Sequence, residues 1–200
     1  MKALIIVDVQ NDFVPGGKLP VPEGDKIIER INKLQEKFDL VVATQDWHPA
    51  NHKSFASQHE GKNDFDIIDL DGIQQTLWPD HCIQGTKGAE FHKDLNTNKV
   101  EAIFRKGTNP LIDSYSGFFD NNRKKATGLD SYLKSHQVTS VFVCGLAADY
   151  CVYYTAMDAL SLGYESTILD ESTKAIDPVN FIDLKDNFRN KGGKISAFIL

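Results

Sequence analysis

Short apolar runs rich in β-branched residues recur along the chain, and segments of helical periodicity separate them. Lys2 to Val7, Leu40 to Thr44, Val100 to Phe104 and Ser140 to Cys144 read as strands, most of them buried. Thr167 to Leu169 and a last stretch from Ile195 to Leu200 extend the series. Ile27, Ile31, Leu34 and Phe38 repeat at helical spacing after start signals between Pro22 and Asp25. Leu129 to His136 is predicted helical. So is Asp149 to Leu162, ended by Gly163 in the left-handed capping position, and so is Phe181 to Asn190, closed by Gly192-Gly193. This alternation predicts an α/β fold with a parallel sheet covered by helices on both faces. No internal repeat, low-complexity tract or linker interrupts it, which gives a single domain over residues 1–200.

One segment breaks the pattern. Asp46 to Lys99 is too long for an ordinary strand-to-helix connection, so it must hold short elements of its own, including a predicted helix from Lys87 to Leu95. It also carries most of the histidines. Its acidic run from Asp64 to Gly72 resembles a calcium loop only superficially. An oxygen ligand at the fifth position and the closing Glu are both missing, so a solvated acidic surface is expected.

The composition narrows the function classes. At 41% hydrophobic and 25% charged residues, the 200-residue chain has the make-up of a globular protein. A net charge of -6 argues against a general binder of nucleic acid or anionic membrane. The run Ala3 to Val7 stops at Asp8 without a cleavage-site pattern, and nothing approaches the ~20 apolar residues needed to span a bilayer. Three cysteines without disulfide-framework spacing suit a reducing cytoplasm.

The reactive side chains then fall into place. In open α/β sheets ligands bind beyond the carboxyl ends of the strands. Asp8 follows the first strand, Asp46 and His48 the second, Lys106 the third, and Cys151 lies one turn beyond the fourth. Asp46 and His48, two apart on an extended segment, point the same way and make half of a metal site. Trp78-Pro79-Asp80-His81-Cys82 offers His81 as a third ligand, a set that suits zinc, manganese or iron. With Asp149 as helix N-cap, Cys151 falls in the first turn, where free N–H groups favour a thiolate nucleophile. Each residue has a plainer reading: Asp8 as a turn cap, Lys106 as a surface cation, Cys151 as a small core residue, Asp46 and His48 as a hydrogen-bonded turn. Cys144 is expected in the core and Cys82 as a packed thiol beside the metal group. His59, His92 and His136 are expected at the surface.

Four stretches together resemble a known family. Ile5-Ile6-Val7-Asp8-Val9-Gln10-Asn11-Asp12-Phe13, Thr44-Gln45-Asp46-Trp47-His48-Pro49, Leu77-Trp78-Pro79-Asp80-His81-Cys82 and Gly145-Leu146-Ala147-Ala148-Asp149-Tyr150-Cys151-Val152 look like the signatures of nicotinamidases. These are the metal-containing branch of the isochorismatase-like cysteine hydrolases. The resemblance runs from about Lys2 to Leu169. It implies a six-stranded parallel sheet and hydrolysis of nicotinamide to nicotinic acid and ammonia in NAD salvage, with pyrazinamide as a second substrate. By matching position it implies Asp8, Lys106 and Cys151 as the catalytic triad, and one divalent ion, zinc foremost, on Asp46, His48 and His81. Phe13 and Trp78 would flank the ring. The Leu146–Ala147 peptide would be cis, with the Ala147 and Cys151 amides as the oxyanion hole. An additional ligand is open between His52, bound directly, and Ser54, acting through water, and a homo-oligomer is also open. The rival readings are another amidase of the superfamily, which the metal motif opposes, and a non-catalytic binding module, which Asp8 and Cys151 oppose.

Overall fold

The computed structural model describes residues 1–197. Its strands are β1 (Lys2–Val7), β2 (Leu40–Asp46), β3 (Ile67–Leu70), β4 (Ile73–Thr76), β5 (Val100–Lys106), β6 (Ser140–Leu146), β7 (Glu165–Lys174) and β8 (Lys194–Ser196). Six of them form one sheet in the order β5-β2-β1-β6-β7-β8, and every neighbouring pair is parallel. The chain runs outward from β1 through β2 to β5, then crosses to β6 on the other side of β1 and runs outward again. The order therefore reverses between β1 and β6, and a crevice opens at their carboxyl ends. Positions 198–200 of the expected last strand lie outside the described residues.

Alternation along the central strand divides the core in two. Ala3, Ile5 and Val7 pack with Leu129 and Leu133 of α2 (Leu129–Ser135), Ala156 and Ala159 of α3 (Tyr153–Ser161), and Phe181 and Phe188 of α4 (Pro178–Asn190). Leu4 and Ile6 face the other way, against Ile28 and Ile31 of α1 (Ile28–Leu34) and the loop residues Val9, Phe13, Val14 and Leu19. Both faces of the sheet are thus covered, as the periodicity predicts. At Gly145 the two central strands come so close that a Cβ would lie 2.0 Å from the Val7 carbonyl oxygen.

Several local expectations are corrected. The first helix begins later than Pro22 to Asp25 implies. Glu23 adopts a left-handed φ of 58° without a side-chain cap, and a 3-10 turn over Gly24–Ile27 precedes α1. Lys87 to Leu95 holds only a 3-10 turn, Lys87–Ala89. The surrounding backbone bonds to the 9–11 segment instead, through Asn11 N to Glu90 O (3.0 Å) and His92 N to Val9 O (2.9 Å). The acidic run is exposed but ordered: β3 and β4 make an antiparallel hairpin, turned by Asp71 and Gly72 with φ of 54° and 82°. α4 starts three residues before Phe181, because Pro178 takes its first position and the Asp177 carboxylate accepts from the Val179 and Asn180 amides. The predicted helix from Asp149 is split into a π-helical turn, Ala148–Val152, followed by α3, and Asp149 does not cap it.

α1 is the helix that closes its face of the sheet, and Ile31 is wholly buried there. Ile31→Ala should lower the unfolding free energy by about 2–5 kcal/mol. Removing exposed Glu29, which pairs with Lys33 one turn on, should leave the midpoint almost unchanged. Urea denaturation followed by circular dichroism compares the two.

Candidate active site

Three strand ends bring the reactive groups together. Asp8 leaves β1 with a left-handed φ of 46°, Asp46 ends β2 and Lys106 ends β5 opposite Asp46 in register. Cys151 comes from the π-helical turn after β6. The Lys106 ammonium, fully buried, lies 2.9 Å from Asp8 Oδ2 and 3.0 Å from Asp46 Oδ1. It donates to the Ser114 carbonyl at 2.9 Å and approaches Cys151 Sγ at 3.4 Å. Thr44 Oγ1 donates to the other oxygen of Asp8 at 2.7 Å. The plainer readings of Asp8 as a turn cap and Lys106 as a surface cation do not survive this geometry.

The charges explain the protonation states. Burial alone would lower the Lys106 pKa, but Asp46 and Asp8 hold it well above the ordinary lysine value. Burial raises Asp8, with Lys106 pulling the other way and Asp46 adding to the rise. For Asp46 burial is outweighed by His48 and Lys106, which hold it well below the carboxylate range. Burial also pushes the Cys151 thiol well above its ordinary value; Lys106 opposes this and Asp8 and Asp46 add to it. Burial thus opposes the thiolate expected from a helix N-terminus. The side chain is a thiol beside a carboxylate able to take its proton.

Asp46, His48 and His81 form a buried group whose ligand atoms lie within 4.8 Å of one another. His48 Nε2 lies 3.0 Å and His81 Nε2 3.5 Å from Asp46 Oδ2. The opposite ring nitrogens are occupied: His48 Nδ1 by the Gly107 carbonyl at 2.9 Å and His81 Nδ1 by the Pro79 carbonyl at 2.8 Å. Such second contacts fix ring orientation and leave Nε2 for a metal. Asp8 and Asp46 share one buried lysine, and buried Asp113 lies with His48 and His52, a concentration of carboxylates that a divalent ion would balance. The residues fit a metal.

His52 belongs to a second group, with His48 and Asp113. Both His48 nitrogens are already committed, so this group is not an independent site. Burial and the neighbouring His48 hold His52 down at a pKa of about 4, so it is neutral. The Ser54 N–H points at its Nδ1 (3.2 Å) and Ser54 Oγ lies 2.7 Å from the same nitrogen, while Nε2 is buried without a partner. Cys82 is fully buried and outside the metal group, its amide donating to Asp12 Oδ2 at 2.8 Å. Cys144 is fully buried in the core. His59, His92 and His136 are half-buried rather than exposed, each in local contact with backbone.

A small, narrow pocket reaches Cys151. Phe13, Trp78, His81 and Ala147 line it, as do Leu19, Asp113, Tyr115, Tyr150 and Ile176, which sequence reasoning missed. Tyr150 stood inside a signature stretch beside Cys151 and was readable; the others come from connections with no periodic signal. Trp78 packs edge-on against Tyr150 at 4.8 Å between centroids. The Leu146–Ala147 peptide is cis. The site combines a thiol, a base, a buried cation, a metal group and an aromatic slot, which is the equipment for acyl transfer from a small aromatic amide.

Comparison with known proteins agrees in kind. The chain matches the Isochorismatase domain over residues 2–196. It is 49% identical over 179 residues to a nicotinamidase of Escherichia coli (strain K12), covering 88% of this chain and 84% of that one. The structure of a nicotinamidase and pyrazinamidase from Acinetobacter baumannii superposes with a TM-score of 0.94 at 46% identity, over 97% and 94% of the two chains. A pyrazinamidase of Pyrococcus horikoshii, solved in complex with zinc, superposes at 0.81 with 41% identity, over 98% and 99%.

Gly107 tests the metal group. Its φ is +64°, and a Cβ there would lie 2.3 Å from His48 Cε1. Gly107→Ala adds about 1–2 kcal/mol of left-handed strain and must displace His48. Metal content after dialysis, read by elemental analysis, should drop sharply while circular dichroism still reports a folded sheet.

Proposed function

The chain belongs to the isochorismatase family, and from that footing we propose that it hydrolyses nicotinamide to nicotinic acid and ammonia, as a step in the salvage of NAD. Pyrazinamide, which keeps a ring nitrogen in the corresponding place, is a second substrate. The observation that carries the reading is the Lys106 ammonium, which links Asp8 and Cys151 to the metal group through contacts of 2.9 to 3.4 Å. The proposed setting is cytoplasmic, consistent with three buried, unpaired cysteines. Among the described residues no helix is long and apolar enough to cross a membrane.

In this proposal the ring lies between Phe13 and Trp78, with the carboxamide toward Cys151. Asp8 takes the thiol proton as sulfur attacks the carboxamide carbon. The amides of Ala147 and Cys151 face the developing oxyanion. Asp8 returns the proton to the departing nitrogen, ammonia leaves and a thioester remains. Asp8 then takes a proton from the attacking water, and that proton goes back to sulfur as nicotinic acid leaves. Lys106 stays protonated throughout and holds Asp8 and Cys151 in place. Asp46, His48 and His81 would hold a divalent ion, zinc foremost, which supplies a Lewis acid for the pyridine nitrogen and so orients the ring.

Cys151→Ala should abolish ammonia release while nicotinic acid binding and metal content persist. Mass spectrometry of quenched wild-type enzyme should find a nicotinoyl adduct on Cys151; an adduct on Cys82 or Cys144 refutes the assignment. Benzamide, which lacks the ring nitrogen, tests the role of the metal. An aromatic face adds only about 0.5–1.5 kcal/mol beyond its area, whereas a metal contact supplies several. Chelation should therefore cripple kcat/KM for nicotinamide and leave a low benzamide rate almost unchanged. Equal rates for both amides on metal-loaded enzyme would mean that the ion does not read the ring.

A further inference from the structure

Asp149 is a buried carboxylate, 2% exposed, that neither the proposed chemistry nor the metal group uses. It lies in the same turn as Cys151, two residues before it, yet it makes no cap for the helix that follows. Its two oxygens are spent on another part of the chain. Oδ1 accepts from the Ile176 amide at 3.0 Å and Oδ2 from the Asp177 amide at 2.7 Å. Burying a carboxylate is costly unless its oxygens are hydrogen-bonded, and charge-assisted bonds of this kind are among the stronger ones. The segment it holds joins β7 to α4, and the Ile176 side chain lines the pocket together with Ala147, Tyr150 and Cys151. Asp177 is engaged in turn: its own carboxylate caps α4.

We propose that Asp149 is a positioning residue, whose carboxylate ties the turn carrying Cys151 to Ile176 and so sets the width of the substrate pocket. The turn itself is anchored separately, since the amides of Tyr150 and Val152 both donate to the Ala147 carbonyl, at 3.2 and 3.0 Å. Loss of the Asp149 bonds therefore frees the Ile176 wall and leaves the nucleophile where it is. The effect belongs to substrate binding rather than to the reactivity of the thiol.

The inference rests on the amidase reading above, and the test separates the two. Asp149→Asn keeps the shape but replaces one acceptor with an N–H group that faces a backbone N–H. In the metal-loaded variant, KM for nicotinamide should rise about tenfold, the scale of one charge-assisted bond or a methylene or two of apolar contact. kcat should stay within about threefold and the alkylation rate of Cys151 by iodoacetamide within about twofold, values bounded by an anchored turn. Amide exchange followed by NMR should speed up at least about tenfold at Ile176 and Asp177 as their acceptor is lost. A merely structural role would lower the active fraction and leave KM alone. Should Asp149→Asn not fold, Asp149→Glu keeps the charge, displaces the acceptor by one methylene, and should raise KM with exchange still slow. Unchanged KM in the folded variant, or unchanged exchange at both amides in Asp149→Asn, overturns the proposal. Wild-type enzyme that releases no ammonia from nicotinamide overturns the amidase reading instead, and the exchange measurement still decides the clamp.

Discussion

Everything reactive in this molecule is arranged around one buried ammonium. Taking a lysine out of water costs several kcal/mol unless its charge is met at close range, and Lys106 is met by Asp8, Asp46 and the Ser114 carbonyl. That need draws three strand ends together. Lys106 does not balance the site, because Asp8, Asp46 and Asp113 outnumber it. Burial disfavours a charge on the neighbouring His48, yet Asp46 raises its pKa. The buried carboxylates that favour positive charge on His48 would equally favour a divalent ion held by Asp46, His48 and His81.

The molecule divides its labour between regular and irregular structure. Groups that must be placed to a fraction of an ångström stand at or within a turn of a strand end, where a parallel ladder sets their spacing. Groups that shape the cavity, such as Leu19, Tyr115 and Ile176, come from connections. His81 is the exception among the metal group. It sits in the long connection, but the 3.0 Å bond from the His48 amide to the Cys82 carbonyl ties that loop to the end of β2. The loop inherits the precision of the sheet by hydrogen bonding to it.

How much was legible in the chain follows from the same division. The central strands are buried on both faces and so appear as unbroken apolar runs, which is why β1, β2 and β6 are readable within a residue or two. β7 runs well past Thr167 to Leu169 because its later half, Asp170 to Lys174, is polar in sequence while Ser172 and Thr173 are buried in the structure. The hairpin over 67–76 carries the Asp-Gly turn signal, which a charge-based reading of the run passes over. Asp8, Asp46, His48, Lys106 and Cys151 could be nominated because of where they stand relative to predicted strands. No periodicity could reveal that Asp149 turns away from its own helix, since its partners, the Ile176 and Asp177 amides, are backbone groups that leave no mark on side-chain pattern. That burial opposes the thiolate expected of Cys151 could not be read from the chain either, because the depth of burial is a tertiary quantity.

The parallel order of the sheet also governs when the site comes into being. β1 at the start of the chain pairs with β6, Lys2 lying beside Ser140, and no hairpin-like shortcut connects them. During synthesis Asp8 emerges first and waits for Asp46, Lys106 and Cys151 in turn, and the Ile176 wall arrives last. A growing chain thus carries Asp8, Asp46, His48 and His81 long before Cys151 is in place. These groups come together only once β6 has joined β1 and β7 has joined β6, so the site is assembled as a single late event, coincident with completion of the sheet.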